Sequence, residues 1–221
     1  MPSLVGRIRC CALALMALLL IPASARSEGD AKAVRRVFSA YRSALLAGEG
    51  DAAAALLTRS TYDYYDEMRR LALYADAGTV QAQSLINQLQ VLMLRLRLPA
   101  DELESLSPEE LIAHAVDQGW IGKESVLTLQ PGKVRSEGDV AVLHVEIDGE
   151  DAGPAFHFRR ESGAWRLDLV PTTQAGNAAL QMAARRQDIP EREFLLVLVE
   201  SVLGRKVGSE AWLPPRSASQ K

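Results

Sequence analysis

Residues 139–169 read DVAVLHVEIDGEDAGPAFHFRRESGAWRLDL, and this stretch decides the fold. Side chains on a strand point to opposite faces at every second residue. From Asp139 to Asp148, Ala141, Leu143, Val145 and Ile147 point one way, and Val142, His144, Glu146 and Asp148 point the other. From Ala155 to Glu161, Phe156 and Phe158 share one face while His157 and Arg159 share the opposite one. Trp165, Leu167 and Leu169 then alternate with Arg166 and Asp168. Ser162-Gly163 has the form of a two-residue hairpin turn, in which Gly takes the positive φ that such a turn needs. That turn sets Phe158 opposite Leu167 and His157 opposite Asp168. The whole run from Glu124 to Val170 is therefore expected to be antiparallel strands with one apolar and one polar face, the pattern of a sheet covered on one side.

Nearly everything on either side reads as helix. Asp30 opens a first helix on which Val34, Phe38, Tyr41 and Leu45 form a narrow apolar stripe. Gly48-Glu49-Gly50-Asp51 ends it, with Asp51 placed to cap a short helix over Ala52–Leu57. A third helix is expected from Thr61 to Ala75, with Tyr64, Met68, Leu71 and Ala75 inward and Tyr65 and Ala72 on the flanks. The next, from Val80 to Leu98, carries a main stripe of Leu85, Ile86, Leu89, Leu92, Met93 and Leu96. A second stripe of Val91, Leu94 and Leu98 lies on roughly the opposite side, so this helix is expected between two layers or under a docked partner. Ser107-Pro108-Glu109-Glu110 is a capping box with Pro at the first helical position, opening a helix that runs to Gly119. His114 falls away from its apolar side and is expected in solvent.

After the sheet come a helix around Asn177–Arg186 and another over Pro190–Leu203. The second has Glu191 and Glu193 in its first turn and Arg205 and Lys206 beyond its end, each suiting the helix dipole. Trp212 and Leu213, before Pro214-Pro215, suggest a docked tail. The expected fold class is α+β: helices packed on one face of a curved antiparallel sheet, with a helical insertion and a C-terminal helical extension. A single domain spans 26–221, with 26–120 mostly helical, 121–170 the sheet, 171–207 the last helices and 208–221 the tail.

The N-terminus has the layout of a secretory leader. Arg7 and Arg9 precede an uncharged apolar run from Cys10 to Ile21, and Ala23-Ser24-Ala25 offers small residues at cleavage spacing. The expectation is a signal peptide, 1–25, cut after Ala25, a periplasmic or extracellular location, and no stable membrane span afterwards. Both cysteines, Cys10 and Cys11, lie inside it, so thiol chemistry and disulfides are excluded from the remainder. Cleavage removes two arginines and no acid from a chain whose formal charge is already −3. An acidic chain without a basic stripe is a poor candidate for nucleic acid, and no such partner is expected.

An amphipathic helix bearing Phe38 and Tyr41, a Gly48-Glu49-Gly50-Asp51 break, a short alanine-rich helix ending Leu56-Leu57-Thr58, and a strand meander closing on Gly163-Ala164-Trp165-Arg166-Leu167 together resemble the nuclear transport factor 2-like superfamily. The resemblance covers residues 31–74 and 124–170 in element order. It implies a helix-backed curved sheet forming a cone with an apolar pocket inside. Residues 79–119 and the two C-terminal helices depart from the pattern and are placed to fill or cover such a pocket. The superfamily holds isomerases, dehydratases and non-enzymatic binding modules, so the resemblance does not choose among them.

The enzymes it resembles set a carboxylate or a His-Asp pair against the apolar side of the sheet, where burial raises an acid's pKa and suits it to act as a base. Here the candidate pocket face is Leu143, Val145, Phe156, Phe158, Trp165, Leu167 and Leu169, all apolar, which argues against an enzyme. Titratable groups gather on the polar face instead. His157 opposite Asp168, with His144 on the neighbouring strand, draws a His-Asp dyad or a two-His, one-carboxylate metal site; the plainer reading is a solvated face of cross-strand charge pairs. Tyr62, Tyr64 and Tyr65 cluster with Asp63, Asp66 and Glu67: Asp63 and Glu67 share a helical face, Asp66 and Arg70 make a surface pair, and the tyrosines suit a pocket rim or core packing. Zinc, phosphate-loop, nucleophile-elbow and dinucleotide motifs are missing, and no cofactor is called for.

The expectation is a secreted, non-catalytic binding or assembly module. Its ligand would be a small apolar molecule in the cone, contacting Phe156, Phe158, Trp165, Leu143 and Tyr65, or a protein partner on the double-striped helix, with oligomerisation open. The alternative is a small pocket enzyme of isomerase or hydrolase type using His157 and Asp168 with His144 nearby. A structural subunit of the cell envelope is a third reading, suggested by the surplus of apolar surface.

Overall fold

The structure is a computed structural model and describes residues 23–121 and 123–215. The expected leader, apart from its last residues, lies outside the described residues. In chain order the elements are α1 (Ala23–Ala47), α2 (Gly50–Ala54), α3 (Arg59–Tyr74), α4 (Ala77–Gln81), α5 (Leu85–Arg97), α6 (Ala100–Ser105) and α7 (Pro108–Asp117). A short α8 (Glu124–Leu127) precedes β1 (Gln130–Glu137), β2 (Val140–Ile147), β3 (Glu150–Glu161) and β4 (Ala164–Asp168). The chain closes with α9 (Val170–Arg186), α10 (Glu191–Leu203) and a 3-10 turn over Ser209–Trp212. The fold is α+β, with helices on one face of an open antiparallel sheet ordered β1-β2-β3-β4. Leu57 adds one parallel bridge to Leu167 beyond β4.

The strand register follows the alternation in the sequence. His157 pairs with Asp168 and Phe158 with Leu167, and the β3–β4 turn has positive φ at both Ser162 (50°) and Gly163 (83°). A turn with two positive φ values matches the right-handed twist of the strands it joins. Register shifts between Pro131 and Val134 and between His144 and Glu146 bend β1 and β2 and curve the sheet. The stretch 124–129 is helix and loop, not strand. Among the described residues no helix is long and apolar enough to cross a membrane.

Two hydrophobic cores share the chain. In the first, α1 lies across the apolar face of the sheet. Val34, Phe38, Tyr41 and Leu45 are buried there against Leu143, Val145, Phe156, Phe158, Trp165 and Leu167. Phe38 meets Phe156 edge-on at 5.0 Å. Asp30 is not the start of α1, which is already helical at Ala23; its carboxylate pairs with Arg160 and accepts from Trp165 Nε1 at 3.3 Å, fixing α1 to β3 and β4. The second core has no sheet in it. Met68, Ala72, Leu85, Val91, Leu92, Leu103, Leu111, Leu195 and Trp212 bring α3, α5, α6, α7, α10 and the tail together. The insertion and the C-terminal extension thus build one helical core jointly. On α7, Leu111 belongs to the helical core and Ile112 to the sheet core.

Several local expectations change. The stretch 80–98 is two helices, because Ser84 accepts from Asn87 N and caps a new start at Leu85. Val91, Leu94 and Leu98 are covered by the chain itself, so that stripe offers no free docking face. Asp51 is not a cap: Asp117 of α7 accepts from Gly50 N at 2.7 Å and takes that role across the helix pair. The contact requires glycine, since a Cβ at Gly50 would lie 2.1 Å from the Ala113 carbonyl oxygen. Ser107 and Glu110 form the expected capping box.

Candidate functional site

The interior of the sheet is filled. Leu143 and Phe158 are 0% and 1% exposed and Phe156 and Trp165 are buried, all against α1, so none of these expected ligand contacts lines an open pocket. Tyr65 does face a cavity, and that cavity lies among the helices.

This groove arises because α5 and α7 each pack on α3 while α10 packs on α5 from outside. Between them remains a cavity of about 350 Å³. Leu89 and Met93 of α5 form one wall, Ile112 and Ala115 of α7 a second, and Leu198 and Val202 of α10 a third. Tyr65 of α3 forms the floor, held edge-on by Tyr64 at 5.3 Å, and burial pushes its phenol pKa up. Leu89 and Met93 are only half-buried although they belong to the expected main stripe of α5, because the groove leaves their outer sides open.

One end of the groove is polar. Trp120, just past α7, is stacked under the guanidinium of Arg97, whose carbon lies 4.9 Å from the ring centroid. His114 packs edge-on against the same ring at 5.1 Å, so it is not simply solvated. Partial burial lowers the Arg97 pKa from its usual value. Among the described residues lining the groove, Arg97 is the only charged one.

The His-Asp pair drawn as the alternative reading meets in register, His157 opposite Asp168, but the hydrogen bonds shown for Asp168 go elsewhere. Asp168 is buried (3% exposed) and both its oxygens are committed: Oδ2 accepts from Arg159 Nε at 3.0 Å and Oδ1 from Val170 N at 3.1 Å. It joins β4 to the start of α9, where Leu169 N also donates to Thr61 Oγ1 at 3.0 Å. These bonds give Asp168 a role in positioning the backbone. His144 lies 3.8 Å from Asp151 rather than near Asp168, and among the described residues no three ligating side chains come close enough to hold a metal ion. Asp168→Ala is expected to cost about 2 kcal/mol through loss of two bonds to a charged acceptor. Chemical denaturation measures it, and a cost below about 0.5 kcal/mol, the scatter of ordinary surface substitutions, contradicts the structural role.

The acidic tyrosine segment also resolves into local pairs. Asp63 meets Arg59, Glu67 meets Arg70, and Asp66 meets Arg69 rather than Arg70. Tyr62 OH donates to Ala54 O at 2.6 Å and Tyr64 OH to Asn87 Oδ1 at 2.8 Å, so these two tyrosines tie α3 to α2 and α5. Sequence reasoning missed Arg97, Trp120, Ala115 and the α10 wall, because they come together only in space, from α5, α7, the segment after it and α10. No protein-family model matches the chain, and comparisons with curated proteins and with solved structures find no match either.

Proposed function

We propose that the chain is a non-catalytic binding module that holds a small apolar molecule in the groove between α5, α7 and α10. The observation that carries this reading is the pairing of a filled sheet interior with an open, apolar-walled cavity of about 350 Å³ among the helices. Ligand sites are concave, mostly apolar and equipped with a few polar groups that orient the ligand. Tyr65, Gln90 and Arg97 are such groups here. The leader-like segment around Arg7, Arg9 and Ala23-Ser24-Ala25 supports action outside the cytoplasm, and the element order of α1, α2 and the strand meander supports kinship with the cone-shaped nuclear transport factor 2-like proteins. In that reading the cone itself has become core and the helical insertion supplies a replacement pocket.

The test is titration with Nile red, an uncharged dye that brightens in apolar surroundings. The wild type is expected to bind it. Ala115→Phe, which fills the groove from α7, is expected to weaken binding by about tenfold or more. Thermal unfolding of the variant checks that the fold is intact. Equal binding by wild type and variant, or no binding by the wild type, contradicts the proposal.

A further inference from the structure

Leu89, Met93 and Arg97 lie at i, i+4 and i+8 on α5 and all face the groove. At 1.5 Å of rise per residue they make a track about 12 Å long, apolar over its first part and cationic at its end. The cavity volume gives a second measure. If a methylene occupies about the 30 Å³ that a water takes in the liquid, the groove accommodates on the order of ten non-hydrogen atoms. Length and volume agree on a single chain of moderate size.

The two arginines of the last turn of α5 are in opposite situations. Arg95 donates to five backbone carbonyl oxygens, those of Leu71, Ala72, Ala75, Ala211 and Trp212. Arg97 rests on the face of Trp120. A guanidinium held over an aromatic ring by cation–π attraction can also donate two parallel hydrogen bonds to a carboxylate. One cation balances one negative charge, whereas a phosphate dianion would call for a second cation that the described lining does not contain. We infer that the occupant of the groove is a single-chain amphiphile ending in one carboxylate, with its head on Arg97 and its tail along Leu89 and Met93 over Tyr65.

This inference rests on the groove being the binding site, and deepens it. The negative end of the α5 dipole already favours a cation at Arg97 and takes up part of its field, which moderates the expected preference. Decanoate and decanol, below their aggregation concentrations at neutral pH, are titrated as competitors of Nile red. Decanoate is expected to bind about tenfold more tightly than decanol, the scale of one charge-assisted contact in a half-exposed site. Arg97→Gln is expected to weaken decanoate about tenfold more than decanol and so remove that preference, and Arg97→Lys to keep part of it. A purely structural arginine would shift both ligands together. Equal affinity of the two in the wild type, a preference that survives Arg97→Gln, or failure of both to displace a dye that does bind, each overturns the carboxylate inference alone. Failure of Nile red itself to bind overturns the groove reading beneath it. Sedimentation showing a dimer that Ala115→Phe dissolves would assign the groove to a second copy and overturn both.

Discussion

Arg95→Met is expected to lower stability by about 3 kcal/mol and to release the C-terminal tail. Three of the carbonyls that Arg95 meets, on Leu71, Ala72 and Ala75, lie at the C-terminal end of α3, where the dipole is negative and the carbonyls past Leu71, which itself accepts from Ala75 N at 3.1 Å, run out of helical partners. The other two, on Ala211 and Trp212, belong to the closing 3-10 turn. One side chain therefore clasps the tail to α3. Burial of the guanidinium pulls its pKa down to about 10, and the carbonyls act against that penalty. Because Arg95 is only half-buried, water replaces some of the lost donors, and the cost falls well short of five separate charged bonds. Trp212, 1% exposed and packed in the helical core, would move into solvent. Denaturant midpoints and a red shift of tryptophan emission report the two effects. Loss of less than about 1 kcal/mol with unchanged emission contradicts the clasp.

The second large effect concerns the interior of the sheet. Phe38→Ala is expected to cost about 3–5 kcal/mol, the usual range for truncating an aromatic side chain in a close-packed core. Phe38 is 0% exposed and sits edge-on to Phe156 between α1 and the sheet. Were that space a ligand pocket, its lining would tolerate truncation and the change would appear in ligand affinity. Nile red binding by the folded fraction is instead expected to stay at the wild-type value. A stability loss below about 1 kcal/mol, far under the core range, together with altered dye affinity contradicts the packed interior.

The sheet was legible because period-two alternation leaves one solution. A slip of one residue would have turned Phe156, Phe158, Trp165 and Leu167 out to water, so the Ser162-Gly163 turn and the apolar face had to agree, and the observed pairing follows both. Helix ends marked by side-chain chemistry were legible too, as at Ser107 and Glu110. The break at 82–84 was missed because neither Gly nor Pro marks it; the cap at Ser84 was the available signal.

Asp168 was placed correctly in register and wrongly in environment. Alternation assigns a face but does not show that α9 starts two residues later and gives the carboxylate an N–H to accept from. The groove was out of reach for a related reason. Its walls come from α3, α5, α7 and α10, and no local pattern indicates that α5 and α7 stay apart where they cross α3. Arg95 was readable in principle, since a charge between Val91 and Leu98 on a buried face requires partners.

Methyl-resolved NMR during a decanoate titration tests the location of the binding site most directly. Resonances of Leu89, Met93, Ile112, Ala115, Leu198 and Val202 are expected to move together and saturate, while those of Leu143, Val145 and Leu167 inside the sheet core hold still. Shifts centred on Leu143, Val145 and Leu167, with the helical set unmoved, would contradict the account.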